Sequence, residues 1–412
     1  MVFLNLINSV ALTLCVILLA VHSHQTWALG RGFLGNRKLI PSGEGLCASS
    51  ITIHGYNCQE LEVTTKDGYI LSVQRILDGR VKVVGNVIKE PVIVQHGILV
   101  DGATWFFNSL EQNLPMILAD NGFDVWVVNT RGTKYSCKHA NFDASREEYW
   151  YWSWDDLVAY ELPSVFDFIS KETGQKIHYV GHSLGTLTAL VSLAEGKWVN
   201  QVKSVALLSP IAYLKRMTTP IGAAAARSLL GESFSLLRIA EFDPKGVATT
   251  DFIHDICVKY KLNCNDLFTL VTGDNCCLNK SAYDQFFTGE PQSSSSRTLF
   301  HLAQIFRTDV LSKFDFMTSN LNVARYGQPT PPAYDLSNIP NNIPIFMSYG
   351  GPDALSDVAD VQKLLNDHFQ SHDKDKLTVQ FIKNYAHCDD MFGTNANELV
   401  YNNVTDFFKR KF

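Results

Sequence analysis

The sequence predicts an α/β fold with a mostly parallel central sheet, helices on both faces and an inserted helical cap. Short, continuously apolar runs typical of buried strands alternate with amphipathic runs typical of helices. One of these runs passes through a sharp, glycine-containing turn directly into an Ala/Leu-rich helix. The alternation stops near residue 211 and resumes near residue 341, which indicates an insertion between two strands of one sheet.

The individual elements follow from the same patterns. Two alternating stretches flank a turn at residues 66–69, which predicts an antiparallel pair of strands within residues 45–80. Buried strands are predicted at 91–95, 123–129, 177–180, 202–208, 343–349 and 377–382. Helices are predicted at 110–121, 154–173, 184–195 and 358–368, with helical segments of the insertion at 221–230, 234–242 and 298–306. Residues 29–210 and 341–412 then form one core, and residues 211–340 form a cap over it.

Residues 1–28 are predicted to be a secretory signal peptide that is removed. Residues 4–21 are almost uninterruptedly apolar and small residues follow up to Ala28, although the usual positive start is missing. A membrane anchor of marginal length is the alternative. No later stretch reaches the ~18 apolar residues of a spanning helix. The mature chain is therefore predicted to be secreted or lumenal, in the extracellular space or in a vacuole or lysosome.

Cysteine usage favours disulfide bonds over metal. Of nine cysteines, Cys15 lies in the signal peptide, which leaves an even number. With no CxxC pair and no histidine at ligand spacing, neither a metal nor a cofactor is predicted. The predicted pairs are Cys47 with Cys58, two bonds among Cys257, Cys264, Cys276 and Cys277, and Cys137 with Cys388. The last pair is proposed because both cysteines follow core strands, and two free thiols are the alternative.

Charge and composition exclude some partners and permit others. The net charge of -6 and the absence of a long basic run leave no nucleic-acid footprint. The hydrophobic fraction of 46% provides material for an apolar site as well as a core. Sequons at Asn279 and Asn403 are predicted glycosylation sites in a secretory compartment. The oligomeric state is not predicted.

The turn from Gly181 to Gly185 carries the candidate nucleophile, Ser183. Its strand–turn–helix context is the one in which Gly-x-Ser-x-Gly presents a serine hydroxyl at the top of a sheet. The glycines are expected because a side chain would collide where strand and helix cross. His182 is interpreted as a packing residue, since its side chain should point away from the hydroxyl.

A serine hydroxyl needs a base to take its proton, and the base needs an acid to fix its tautomer. In sheet enzymes with this turn the chain order is serine, acid, histidine. Asp353 and His387 each follow a predicted strand and are predicted as acid and base. Asp357 is the alternative acid, although it also suits the N-cap of the next helix. His368 and His372 are interpreted as solvated.

Acyl transfer also needs N–H donors for the developing oxyanion. Leu184, directly after the serine, supplies one from its backbone. The second is predicted to be the backbone N–H of Ile98, with Leu99 as the alternative, in the loop after strand 91–95. His96 is interpreted as a structural side chain that shapes this loop.

The chain resembles the acid lipase family, which includes gastric and lysosomal acid lipases and their plant counterparts. The matching motifs are Thr65–Tyr69, Gln95–Leu99 with Trp105, Asn129–Gly132, Trp152–Asp156, Tyr179–Thr186, Tyr326–Gln328, Gly350–Asp353 and Tyr385–His387. The resemblance implies an α/β-hydrolase fold, a helical cap and ester hydrolysis on neutral lipids. It assigns the roles of nucleophile, acid, base and oxyanion donors to Ser183, Asp353, His387, Ile98 and Leu184.

Two positions depart from the family pattern. Leu184 stands where animal members have Gln, but its role involves only the backbone. Asp390 places a carboxylate where an apolar residue is expected, which leaves open how it packs and what it does to the pKa of His387.

The predicted function is a secreted lipase that hydrolyses triacylglycerol-type neutral lipids at a lipid–water interface through an acyl-enzyme. An acyltransferase on the same scaffold and a catalytically silent lipid-binding protein are the alternatives. Residues 211–242 are rich in Leu, Ala and Phe, with charges at Arg227, Glu232 and Arg238 along one face. This pattern is typical of a cap helix that gates an apolar site, or of a packed helix inside the cap. In the gating interpretation, Leu230 is an example of an outward-facing apolar residue of this segment.

Overall fold

The computed structural model describes residues 45–80, 88–227, 239–260 and 266–412. The predicted signal peptide, Cys264, and the charges at Glu232 and Arg238 lie outside these residues. Within the described ranges, no helix has the length and apolar character needed to cross a membrane.

The central sheet is mostly parallel. Its strands are β1 Asn57–Thr64, β2 Tyr69–Asp78, β3 Pro91–Gln95, β4 Asp124–Val128, β5 Lys138–His139, β6 Ile177–His182, β7 Val202–Leu208, β10 Ile345–Gly350 and β11 Leu377–Ile382. A separate two-stranded sheet pairs β8 Glu241–Phe242 with β9 Ser294–Ser295. The strand order is β1-β2-β4-β3-β6-β7-β10-β11, with β5 beside β2. Strands β1 and β2 pair antiparallel, as predicted, and the strands from β4 to β11 along this order are parallel.

The helices are α1 Leu114–Asp120, α2 Leu162–Thr173, α3 Leu184–Ala194, α4 Pro220–Arg227, α5 Val247–Tyr260, α6 Leu267–Thr272, α7 Lys280–Gly289, α8 Ser296–Thr308, α9 Ser319–Tyr326, α10 Val358–His368, α11 Asp389–Phe392 and α12 Asn402–Phe408. Helical turns at Trp154–Asp156 and Leu157–Glu161 lead directly into α2. Together they form the long helix predicted at 154–173. The predicted helix at 234–242 is wrong at its end, because residues 241 and 242 form β8.

The core strands are apolar from end to end because both sheet faces are covered. In β4, Trp126 and Val128 pack into one hydrophobic cluster, while Val125 and Val127 pack into the other. Helices α2 and α3 bury their apolar residues in the first cluster, and α1 and α12 bury theirs in the second. This two-sided burial confirms the predicted fold class.

The chain leaves the sheet after β7 and returns at β10, which pairs with β7 itself. The intervening residues form mainly helices, α4 to α9. The two core parts therefore belong to one continuous sheet. The boundaries and the cap role of residues 211–340 stay a prediction.

Two of the predicted cysteine groupings are present. Cys47 is bonded to Cys58, and the neighbours Cys276 and Cys277 are bonded to each other. Cys257 is also disulfide-bonded.

Candidate active site

Ser183 lies in a strained turn between β6 and α3. Its backbone φ is 54° and ψ is -119°, a conformation that costs a non-glycine residue ~1–3 kcal/mol. A Cβ on Gly181 would lie 2.8 Å from the carbonyl carbon of Gly185, and one on Gly185 would lie 3.1 Å from the Gln95 carbonyl oxygen. The close approach of strand and helix thus requires both glycines and holds the serine in place.

The structure brings Ser183, His387 and Asp353 into one hydrogen-bonded chain. His387 Nε2 lies 2.8 Å from Ser183 Oγ, and His387 Nδ1 lies 3.0 Å from each Asp353 carboxylate oxygen. Asp353 Oδ1 also accepts hydrogen bonds from the backbone N–H groups of Leu355 and Ser356. Burial raises the pKa of Asp353, but His387 and these donors outweigh it, so the net shift is downward.

Asp357, the alternative acid, lies elsewhere. Its Oδ1 accepts a hydrogen bond from Ala359 N at 2.8 Å and caps the N-terminus of α10. Its carboxylate is thus engaged as a helix cap, and Asp353 is the aspartate that contacts His387.

The loop after β3 approaches the serine closely. A Cβ on Gly97 would lie 2.9 Å from Ser183 Cβ, so only glycine permits this approach. Ile98 N–H makes no hydrogen bond to another described residue. Leu99 is left-handed, with φ of 60°, and its carbonyl accepts a hydrogen bond from Gln292 N. Leu184 begins α3, so its N–H lacks an acceptor within the helix.

Two buried histidines support this arrangement. His96 Nε2 accepts a hydrogen bond from Thr130 N at 3.0 Å, consistent with the structural role predicted for it. His182 Nε2 donates to the backbone carbonyl oxygen of His387 at 2.8 Å. Burial lowers the pKa of His96 to about 4 and that of His182 to about 3, so both are neutral. The interpretation of His182 as a packing residue did not include this hydrogen bond to His387. No sequence pattern near residue 182 indicates the contact.

The expectation that His368 and His372 are solvated was wrong for His372, whereas His368 is half-buried at the end of α10. His368 Nε2 lies 2.7 Å from Tyr213 Oη, and its Nδ1 lies 3.0 Å from Ser337 Oγ. His372 is buried, and its Nε2 donates to the Ile343 carbonyl oxygen. All three contacts join residues from separate segments, which the polar local sequence does not reveal.

Two aspartates follow the histidine and differ in function. Asp389 accepts hydrogen bonds from the N–H groups of Ala386, Cys276 and Cys277 and so connects two loops. Asp390 is fully buried, and Ser209 Oγ donates to its Oδ2 at 3.0 Å. Burial raises the pKa of Asp390 well above its usual range, which favours its neutral form.

The side chains of Asp389, Cys276 and Cys277 place potential metal-binding atoms within 4.8 Å of one another. Both sulfurs belong to the disulfide, so neither is a thiolate that binds a metal.

The predicted bond between Cys137 and Cys388 is wrong, because both are free cysteines. Cys388 follows His387, which reaches Ser183 at the end of β6. Cys137 precedes β5, which pairs with β2, and β2 lies three strands from β6. Three strand spacings are ~14 Å, twice the ~7 Å limit for the Cα atoms of a disulfide.

Comparison with known proteins places this geometry in a family. A family described as the α/β-hydrolase fold matches residues 90–389, and one described as a partial α/β-hydrolase lipase region matches residues 47–109. Triacylglycerol lipase 2 of Arabidopsis thaliana is 49% identical over 409 residues, covering 98% of this chain and 97% of the relative. The chain belongs to the acid lipase-like family of α/β-hydrolases. Membership makes it a carboxylic ester hydrolase.

This acid lipase-like enzyme is also similar to animal lipases. The gastric triacylglycerol lipase of Rattus norvegicus is 33% identical over 367 residues, covering 86% of this chain and 89% of the relative. Among solved structures, a soluble variant of monoglyceride lipase from Saccharomyces cerevisiae matches with a TM-score of 0.54 at 14% identity, over 85% of this chain and 96% of that one. The structural match concerns the fold alone.

Proposed function

We propose that this acid lipase-like enzyme hydrolyses triacylglycerol-type neutral lipids, with Ser183 as nucleophile, His387 as base and Asp353 as acid. The observation that carries the proposal is the continuous hydrogen-bonded chain from Ser183 Oγ through His387 to Asp353. The substrate class rests on the names of the relatives, which are triacylglycerol lipases of plant and animal origin.

The proposed reaction proceeds in two halves. His387 Nε2 takes the proton of Ser183 as Oγ attacks the ester carbonyl, and Asp353 stabilises the resulting imidazolium. The proton then passes to the departing alcohol, which leaves an acyl-enzyme. Water, deprotonated by His387, then attacks the acyl carbonyl. The bond between Ser183 Oγ and the acyl group breaks, His387 returns the proton to Oγ, and the fatty acid leaves. The N–H groups of Ile98 and Leu184 stabilise the oxyanion in both halves, by ~3–4 kcal/mol for each donor.

Access to the serine supports a gating role for the inserted segment. Ser183 is only 3% exposed, so a bulky lipid reaches its hydroxyl only if the structure opens. We assign residues 211–340 as the cap, over a core of residues 29–210 and 341–412. The described part of this segment exposes apolar side chains to solvent at Val258, Leu267, Val271 and Phe287. These side chains suit contact with a lipid surface.

The names of the relatives, with the apolar N-terminal sequence, support a secreted or lumenal enzyme. The glycosylation proposals differ in their surroundings. Asn403 is exposed and its side-chain amide donates to the Leu399 carbonyl oxygen, whereas Asn279 is half-buried, caps α7 with its Oδ1 and donates from its side-chain amide to Asn108.

Ser183→Ala tests the proposal. The variant is expected to lose covalent labelling by a fluorophosphonate and to lower kcat by about 10^6 on a p-nitrophenyl ester, because the nucleophilic oxygen is gone. Emulsified triacylglycerol provides the matching lipase assay. Residual labelling of another serine would contradict the assignment. Wild-type protein that binds lipid without turnover would favour the binding-protein alternative.

A further inference from the structure

Two buried carboxyl groups join the loop that approaches Ser183 to the inserted segment. We call residues 97–101 the oxyanion loop. Asp101 ends this loop, Glu290 directly follows α7, and each residue is 1% exposed. Glu290 Oε1 accepts hydrogen bonds from Asp101 N at 3.3 Å and from Thr104 Oγ1 at 3.1 Å. Asp101 Oδ1 in turn accepts a hydrogen bond from Ala103 N at 2.8 Å.

The residues after Glu290 contact the same loop. Gln292 N donates to the carbonyl oxygen of Leu99 at 2.7 Å, one residue from the proposed donor Ile98. Gln292 Oε1 accepts a hydrogen bond from Lys134 N. Segment 290–292 therefore meets the oxyanion loop at both Leu99 and Asp101, and movement of this segment would disturb the position of the Ile98 N–H.

Burial and an unpartnered oxygen favour a proton on this pair of acids. Glu290 Oε2 is buried and has no hydrogen-bond donor among the described residues. A proton on Oε2 would turn this unpartnered acceptor into a donor, and Asp101 is the neighbouring acid whose charge acts on Glu290. Burial, followed by the charge of Asp101, raises the pKa of Glu290 to about 9. Burial also raises the pKa of Asp101 above its usual range.

The surrounding groups do not replace this proton. Lys134 and Lys245 act on Asp101 only as more distant charges, and Lys245 Nζ donates to the carbonyl oxygen of Gly289. Tyr135 faces the pair as well, and its pKa is raised to about 12, so it stays neutral. Loss of the shared proton would leave two carboxylates in contact in a dry environment, which is strongly unfavourable.

We propose that Asp101 and Glu290 are positioning residues that share one proton and thereby hold the oxyanion loop against segment 290–292. The proposal rests on the proposed function, in which Ile98 of this loop is an oxyanion donor. Above the pH at which the proton is lost, the two carboxylates repel each other, the contact opens, and turnover falls.

The direction of the pH effect follows from proton linkage. A solvated glutamate has a pKa of ~4.3, far below that of Glu290 in the closed pair. The pair therefore binds one more proton when the oxyanion loop contacts segment 290–292 than when the two are apart. This contact weakens as the pH rises from ~4.3 towards the pKa of Glu290 in the pair. The pair thus produces an alkaline loss of activity, whereas a histidine base loses activity on the acid side when it is protonated.

Glu290→Gln and Glu290→Ala distinguish this role from ordinary packing. Glutamine keeps the shape and donates an N–H to Asp101 at every pH, so its kcat on a short soluble ester should stay within about threefold of wild type near pH 5. Near pH 10 it should exceed wild type by about tenfold, because one unit above a pKa of about 9 only about a tenth of the wild-type pairs keep the proton, whereas the amide loses none. Alanine leaves Asp101 N and Thr104 Oγ1 without their acceptor and should lower kcat throughout. KM should change little for a small ester that does not need the opened cap.

Thermal unfolding at each pH separates loss of local positioning from global unfolding. Equal alkaline losses in wild type and Glu290→Gln would overturn the proposal, as would equal kcat values for the glutamine and alanine variants. If Glu290→Gln does not fold, amide hydrogen exchange in the wild-type peptide covering residues 97–107 decides the matter. Protection that falls between pH 5 and 9, after correction for intrinsic exchange, supports the pair, and constant protection overturns it. Turnover by Ser183→Ala would instead overturn the proposed function, whatever the exchange result.

Discussion

Two buried aspartates, Asp353 and Asp390, have pKa values shifted in opposite directions because their neighbours differ. Burial alone favours the protonated form, and Asp390, whose side chain is hydrogen-bonded to Ser209, has a raised pKa. Asp353 is equally inaccessible, but His387 and two backbone N–H groups lower its pKa. The ionised carboxylate that orients His387 therefore depends on the hydrogen-bond donors around Asp353, because an aspartate without them has a raised pKa.

Asp353→Asn should lower kcat by about 10^4 on a soluble ester, because an amide favours the wrong tautomer of the histidine. The matched control is Asp357→Asn, which preserves the cap of α10 because asparagine is an equally good N-cap. Its kcat should stay within about twofold of wild type. Steady-state kinetics of the two variants check this, and the reverse order of damage would move the acid to Asp357.

The loop that carries the histidine is fixed by the inserted segment as well as by the sheet. His387 N donates to the carbonyl oxygen of Thr272, the last residue of α6. The Asp389 carboxylate accepts three backbone N–H groups, one from the histidine loop and two from the cysteine pair after α6. Movement of this part of the segment is therefore coupled to the position of the base.

Asp389→Asn should lower the free energy of unfolding by ~2–4 kcal/mol, because both carboxylate oxygens accept backbone N–H bonds and an amide nitrogen replaces one of them in either orientation. The neighbouring Asp390→Asn is the control. The raised pKa of Asp390 makes wild type less stable as the pH rises above the unfolded value of ~3.9. Asparagine removes this loss, so Asp390→Asn should gain stability relative to wild type between pH 4 and 7. Urea unfolding at pH 4 and at pH 7 measures the change in the free energy of unfolding for each variant. Similar destabilisation by both variants would contradict this account.

Strands and helices with a strong local signal were predicted closely. Strands β3 and β7 have the predicted bounds because both their faces are covered, and α10 begins where Asp357 caps it. The order serine, acid, histidine along the chain predicted Ser183, Asp353 and His387, and the structure brings these three residues together as expected. The sequence did not predict the contacts of His182 with His387 or of Asp101 with Glu290, which join residues 205 and 189 positions apart. Neither contact has a periodic or local signal.

The parallel sheet explains why such distant residues meet. Strands β3, β6, β10 and β11 all run in the same direction, so their carboxyl ends lie at one edge of the sheet. The loops that follow them carry Ile98, Ser183, Asp353 and His387. The chain departs for the inserted segment from that same edge, after β7. An insertion that begins at this edge lies beside the loops of the site, and its contacts with Leu99 and His387 make its position part of the site.

The proposed gate predicts different effects on lipid and soluble substrates. Leu230, the outward-facing cap residue suggested by the sequence, lies outside the described residues, so Val258 on α5, 66% exposed, is the better probe. Val258→Glu should lower activity on emulsified triacylglycerol by about tenfold, because a charge opposes contact with a lipid surface. Turnover of a short soluble ester should change by less than about twofold, since such an ester does not need the interface. The control is Val379→Glu on the edge strand β11, where the valine is 42% exposed and the same change should affect neither assay. Equal loss on both substrates in Val258→Glu would mean that α5 stabilises the fold and that the lipid contact lies on another part of the molecule.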